Sequence, residues 1–142
     1  MAISSKEILE KKLDFYRKAL GSFNRLLHKD LSVLQDLDLL DGVKNGQIQK
    51  FEYCAELTWK IIKRFLFVNS GIDARTPKES CKQFYQAGFF DEEKYLQLIN
   101  MLDDRNNLSH LYSEEDFERI HNKLNGYCTL MLQVLDVTSS LS

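Results

Sequence analysis

Apolar residues along this chain recur at steps of three and four, and breaks in that rhythm divide it into helices. Ser4 with Glu7 forms a capping box, the serine accepting a backbone N–H and the glutamate reaching back. Leu9, Leu13, Tyr16, Leu20, Phe23, Leu27, Leu31 and Leu34 follow as one stripe, which predicts a long first helix with a possible break near Lys29 and Asp30. Residues 40–46 read as a loop, because Gly42, Asn45 and Gly46 tolerate turn dihedrals. Ile48, Phe51, Ala55, Trp59, Ile62 and Leu66 predict a second helix that closes at Gly71. Thr76, Pro77 and Glu79 start a short third helix ended by Gly88, and Asp91 caps a fourth that buries Tyr95, Leu98, Ile99 and Leu102. Ser113 with Asp116 opens a fifth, whose stripe runs unbroken from Phe117 through Ile120, Leu124, Tyr127 and Met131 to Val134.

The expected fold is all-α: an antiparallel up-down bundle of four long helices with one extra short helix. No repeat or linker divides the chain, so residues 1–142 form a single domain. Composition agrees, since one proline and six glycines are too few for the many turns of a β-sandwich or barrel. Gly21 and Gly126 fall inside helices, either to permit close crossing or as a tolerated weakness.

Charge and cysteines narrow the function. The net charge of −2 provides no overall basic field, so any RNA contact must rest on a local site. Cys54, Cys81 and Cys128 are odd in number and lack C-x-x-C spacing, which suits reduced thiols in the cytosol. The polar N-terminus and the absence of any long apolar run lead us to expect a cytoplasmic protein with no membrane association. Phosphate loops, H-E-x-x-H and nucleophile elbows are absent, and the three histidines are scattered, so neither a metal nor another cofactor is expected. Asp103 and Asp104 could in principle hold a magnesium ion. A solvated helix face is the preferred reading, because no further carboxylate pattern joins them.

The chemically informative stretch is Arg105-Asn106-Asn107-Leu108-Ser109-His110-Leu111-Tyr112. If the fourth helix continues through it, steps of four carry Asn106 and His110 along the inward face from Leu102, and Arg105 also leans inward. Guanidinium, amide and imidazole would then converge at one end of the bundle. Arginine binds phosphate bidentately and histidine titrates near pH 6.5, so the set suits phosphodiester chemistry. R-x4-H alone is a weak signal. Arg105 facing a helix C-terminus while His110 simply packs is an equally good account on the residues alone. His28 and His121 lack partner motifs, and His121 borders the core stripe. Arg64 and Arg75 carry no spacing that sets them apart from ordinary surface charge.

Arg105-Asn106 followed by His110 and Tyr112 resembles the R-x4-H-x-Y motif of HEPN domains, a helical superfamily. Independently, Ile48-Gln49-Lys50-Phe51-Glu52-Tyr53-Cys54-Ala55-Glu56-Leu57-Thr58-Trp59-Lys60 resembles the signature of its nucleotidyltransferase substrate-binding branch. The resemblance implies a HEPN-like homodimeric bundle made beside a small nucleotidyltransferase encoded nearby, as in toxin–antitoxin pairs. It further implies a metal-independent ribonuclease silenced when the nucleotidyltransferase adenylylates Tyr112. In the second motif Phe51, Ala55 and Trp59 are core by periodicity and Glu56 pairs with Lys60 at i,i+4. Glu52 and Glu56 are its only candidates for function.

In the enzymatic reading His110 is general base on a ribose 2′-hydroxyl, Arg105 stabilises the phosphorane, and Asn106 orients the phosphate or the imidazole. A two-fold dimer supplies a second His110 as general acid, and a 2′,3′-cyclic phosphate results. The alternatives are a non-catalytic subunit that presents a nucleotide or other substrate to the nucleotidyltransferase, and a purely structural dimer.

Overall fold

A computed structural model describes residues 3–110 and 113–140 and contains six α-helices and no strand among them. They are α1 (Ser5–Leu27), α2 (Leu37–Ser70), α3 (Pro77–Gln86), α4 (Glu92–Asn107), α5 (Glu114–His121) and α6 (Leu124–Ser140), with a 3-10 turn at Leu108–His110 after α4. The capping residues act as their chemistry requires. Ser4, Thr76, Asp91 and Ser113 each accept the backbone N–H three residues on, satisfying a donor that the helix itself leaves free. Gly71 closes α2 in the left-handed region at φ 66°, where only glycine escapes a steric penalty.

Two boundaries differ from the periodicity reading. The loop expected over 40–46 is helix, and α2 begins earlier, where Asp36 accepts from the N–H groups of Asp38 and Leu39. Gly42 and Gly46 each cost a helix about 1 kcal/mol relative to alanine. Local and tertiary bonds offset that cost: Asn45 Nδ2 donates to the Asp41 carbonyl at 2.9 Å, and Lys44 meets Glu118 of α5 at 3.2 Å. The true connection is residues 28–36, where Asp30 accepts from the Ser32 hydroxyl and N–H, so Leu31 and Leu34 leave the α1 stripe. The fifth helix is likewise two helices, broken by a turn at Asn122 and Lys123. The apolar steps pass through this break because Ile120 and Leu124 both remain buried.

α2 is the central helix and packs on α1, α3, α4 and α6. Partners on α1 rise in number as those on α2 fall: Tyr16 with Thr58, Ser22 with Lys50, and Leu26 with Gln47. The two helices are therefore antiparallel. Tyr16 is fully buried, with its hydroxyl 2.7 Å from Thr58 Oγ1 and 3.2 Å from the Met131 carbonyl, so it joins α1, α2 and α6. Phe51 stacks on Tyr127 at 5.4 Å, and Phe65, Phe84, Phe89 and Phe90 form an aromatic cluster at the α3 end. Neither Gly21 nor Gly126 serves a close crossing: a Cβ at Gly126 meets nothing within 4 Å, and one at Gly21 meets only the flexible end of Arg25. None of the helices among the described residues is long and apolar enough to cross a membrane.

Candidate functional site

The two motifs meet across the α2–α4 interface. Arg105, in the last turn of α4, places Nη2 3.1 Å from Glu56 Oε2 and donates from Nε to the Glu52 carbonyl at 3.3 Å. The other oxygen of Glu56 receives Lys60 at 3.3 Å, so one carboxylate holds two cations. A guanidinium has five N–H donors. Two are committed here, and among the described residues the fork is oriented with donors to spare.

Arg105 and Asn106 line a cleft of about 290 Å³ with Glu56, Trp59, Thr76 and Lys78. The cleft exists because Trp59, expected in the core, is only partly buried and forms one wall, and α3 supplies the other. Lys78 is held by Asp103 at 2.8 Å. A second fixed cation therefore stands at the rim beside Arg105.

The inward convergence of Asn106 and His110 does not occur. α4 ends at Asn107, the chain turns through a 3-10 segment, and both side chains are exposed. Asn106 stays on the side of Leu102 but at the exposed rim of the cleft, where the last turn of α4 runs beyond the core. His110 lies on the exposed turn that follows the cleft, while Ser109 Oγ donates to the Asn106 carbonyl at 2.8 Å and holds that turn on the helix end. Glu52 contributes its carbonyl rather than its carboxylate, which forms no ion pair among the described residues. Tyr112 lies outside the described residues.

The family model for nucleotidyltransferase substrate binding protein like sequences matches residues 11–139. The chain belongs to this family. A crystal structure of a protein from Thermus thermophilus is similar to it with a TM-score of 0.74 and 28% identity, covering 87% of this chain and 98% of that one. No curated protein matches. The fold of this nucleotidyltransferase substrate-binding-like protein is all-helical, in agreement with the HEPN resemblance.

Asp104 overturns the reading of Asp103 and Asp104 as one solvated face. The two point to different sides of α4, and the Asp104 side chain is 7% exposed. It receives Lys123 at 3.1 Å, Arg119 at 3.5 Å and a short hydrogen bond from the Tyr127 hydroxyl. Burial, and then the hydrogen bond to Asp104, push the Tyr127 phenol well above its ordinary range. A signal for this was present in the sequence: Arg119, Lys123 and Tyr127 stand at steps of four and form a column of donors wanting an acceptor.

His121 lies 2.6 Å from Gln47 Oε1 and stacks on Phe117, and burial lowers its imidazole below the ordinary value. Gln47 in turn donates to the Leu26 carbonyl at 3.2 Å, so His121 is a structural boundary residue that locks α5 to the start of the bundle. Among the described residues no three His, Cys, Asp or Glu side chains assemble into a possible metal site.

Proposed function

We propose that this chain is the HEPN-type partner of a small nucleotidyltransferase and acts, as a homodimer, as a metal-independent endoribonuclease. The observation that carries this reading is Arg105, pre-oriented by Glu56 and the Glu52 carbonyl at the rim of a cleft it shares with Asn106, with His110 exposed three residues beyond the helix end. A guanidinium fixed before substrate arrives loses less freedom on binding phosphate and stabilises charge that develops later.

In this mechanism Arg105 binds the scissile phosphate and Asn106 orients it. His110 removes the 2′-hydroxyl proton, the 2′-oxygen attacks phosphorus, and the bond from phosphorus to the 5′-oxygen breaks. His110 of a second copy donates the proton that the departing 5′-oxygen needs, which requires a two-fold interface near the Arg105–His110 segment. The exposure of His110 is compatible with such a composite site.

Silencing follows from Tyr112. Its phenolic oxygen attacks the α-phosphorus of ATP on the nucleotidyltransferase, pyrophosphate leaves, and the phenolic proton is lost to solvent. The attached AMP carries a negative charge that competes with the scissile phosphate for Arg105.

Cleavage of single-stranded RNA in excess chelator is the test. Wild type should cut, and His110→Ala should lose about 10²–10⁴-fold. Equal activity in the two proteins would leave the second reading, a non-catalytic subunit that presents a nucleotide or other substrate to the nucleotidyltransferase. The name of the family favours that reading at the coarse level.

A further inference from the structure

A second concave surface lies on the other flank of Glu56. Ile8 and Phe15 of α1 face Leu57 and Ile61 of α2 across a groove of about 410 Å³, and its rim carries Lys11, Lys12 and Lys60. No acidic residue lines it among the described residues. Lys11 and Lys12 form no ion pair among the described residues, so their charge is not neutralised in place.

At one end of the groove Phe15 is 57% exposed and Tyr53 is 48% exposed, with the rings edge-on at 6.3 Å and 66°. Large aromatic rings are ordinarily removed from water, and two exposed together beside three ammonium groups form a combination with a specific use. Aromatic faces stack bases regardless of sequence, while a basic rim tracks the backbone. The groove and the cleft are neighbours on the two sides of Glu56. Lys60 of its rim and Arg105 of the cleft are bound to the two oxygens of the same carboxylate, Glu56.

We propose that the α1–α2 groove is the docking surface for single-stranded RNA, with bases stacking on Phe15 and Tyr53 and phosphates meeting Lys11, Lys12 and Lys60. A strand laid there passes over Glu56 to Arg105. This answers how a chain of net charge −2 acquires RNA affinity: the field is local, and it lies beside the phosphate site. The inference rests on the ribonuclease reading in taking RNA as the substrate. It assigns residues that this reading leaves without a role.

The test uses the full-length His110→Ala protein, so that a fluorescent decauridylate survives the titration. Adding Phe15→Ala or Tyr53→Ala should weaken binding by roughly tenfold, within the range for loss of one stacked base. Adding Lys11→Gln with Lys12→Gln should flatten the dependence of log K on log salt by about 1.4, from about 0.7 for each phosphate contact on a single strand. These side chains are exposed, so the variants should fold, and circular dichroism checks that they do. Unchanged affinity and slope in both sets overturn the proposal, as does absence of binding in the parent protein. Normal RNA binding with lost affinity for the purified nucleotidyltransferase also overturns it, in favour of a protein-docking face. Failure of the ribonuclease reading is separable, because it appears as groove-dependent binding by wild type with no cleavage.

Discussion

Glu56 of α2 holds Arg105 of α4 at 3.1 Å, and this ion pair joins two motifs that lie far apart in the sequence. Both side chains are one-third exposed, so the pair contributes at most about 1 kcal/mol to stability. Its consequence is orientation: the guanidinium plane is fixed by a carboxylate and a backbone carbonyl before any ligand arrives.

Replacing Glu56 should therefore separate stability from activity. Glu56→Gln is expected to unfold in urea within about 1 kcal/mol of wild type. It should lower RNA cleavage by roughly tenfold or more, because Arg105 loses its orientation. Arg105→Lys should restore little activity relative to Arg105→Ala, since lysine lacks the planar fork. Denaturation curves and initial rates on the same preparations check both expectations.

Asp104 carries the opposite signature. Its carboxylate is buried among Tyr127, Lys123 and Arg119, and Asp104→Asn should destabilise the fold by about 1–3 kcal/mol. Tyr127→Phe removes the one neutral donor and should cost a similar amount. The double variant should cost less than the sum of the two, because the residues share one interaction. Urea unfolding of the three proteins measures the coupling.

Much of this was legible in the sequence, and the failures have physical causes. The caps at Ser4, Thr76, Asp91 and Ser113, the stop at Gly71 and the buried stripes were readable because they depend on residues close in the chain. The loop expected over 40–46 was not, because the helix is held by contacts beyond local propensity: Asn45 to the Asp41 carbonyl, Lys44 to Glu118, and the buried Gln47 and Ile48 that follow. At the site, Arg105, Asn106 and Glu56 could be picked out by residue type, but their meeting across α2 and α4 could not. The exposure of His110 depends on where α4 stops, and Asn106 and Asn107 are a weaker stop signal than glycine or proline, so periodicity alone carried the helix past them. Asp104 looked like surface because the column of Arg119, Lys123 and Tyr127 that receives it begins on a different helix.

Alkaline stability should fall in a way traceable to buried thiols and phenols. Burial pushes Cys54 and Cys81 up to about 12 and Cys128 up to about 11, and raises Tyr16 as well. Unfolded thiols ionise near pH 9 while the folded ones stay protonated, so above that pH the folded state binds more protons and stability declines as pH rises. Urea midpoints should be flat from about pH 7 to 8 and drop between about pH 9 and 11. A Cys54→Ala, Cys81→Ala, Cys128→Ala protein should show a shallower decline, and a slope identical to wild type would assign the effect elsewhere.

Modification by the partner gives a site-specific expectation. Incubation with the nucleotidyltransferase and ATP should place AMP on Tyr112, seen by peptide mass spectrometry, and should abolish RNA cleavage. Tyr112→Phe should stay unmodified and remain active in the presence of the partner. An adduct that persists in Tyr112→Phe would move the control point to another residue.

Arg105 and His110 are proposed to act together on an RNA phosphate through the neighbouring 2′-hydroxyl. The most direct measurement is the mass of the products released from a defined oligoribonucleotide in excess chelator by wild type, Arg105→Ala and His110→Ala. Wild type should yield a 5′ fragment ending in a 2′,3′-cyclic phosphate and a 3′ fragment beginning with a 5′-hydroxyl, and each variant should yield roughly 100-fold less or lower still. Fragments with 3′-hydroxyl and 5′-phosphate ends, or equal yields from all three proteins, would contradict it.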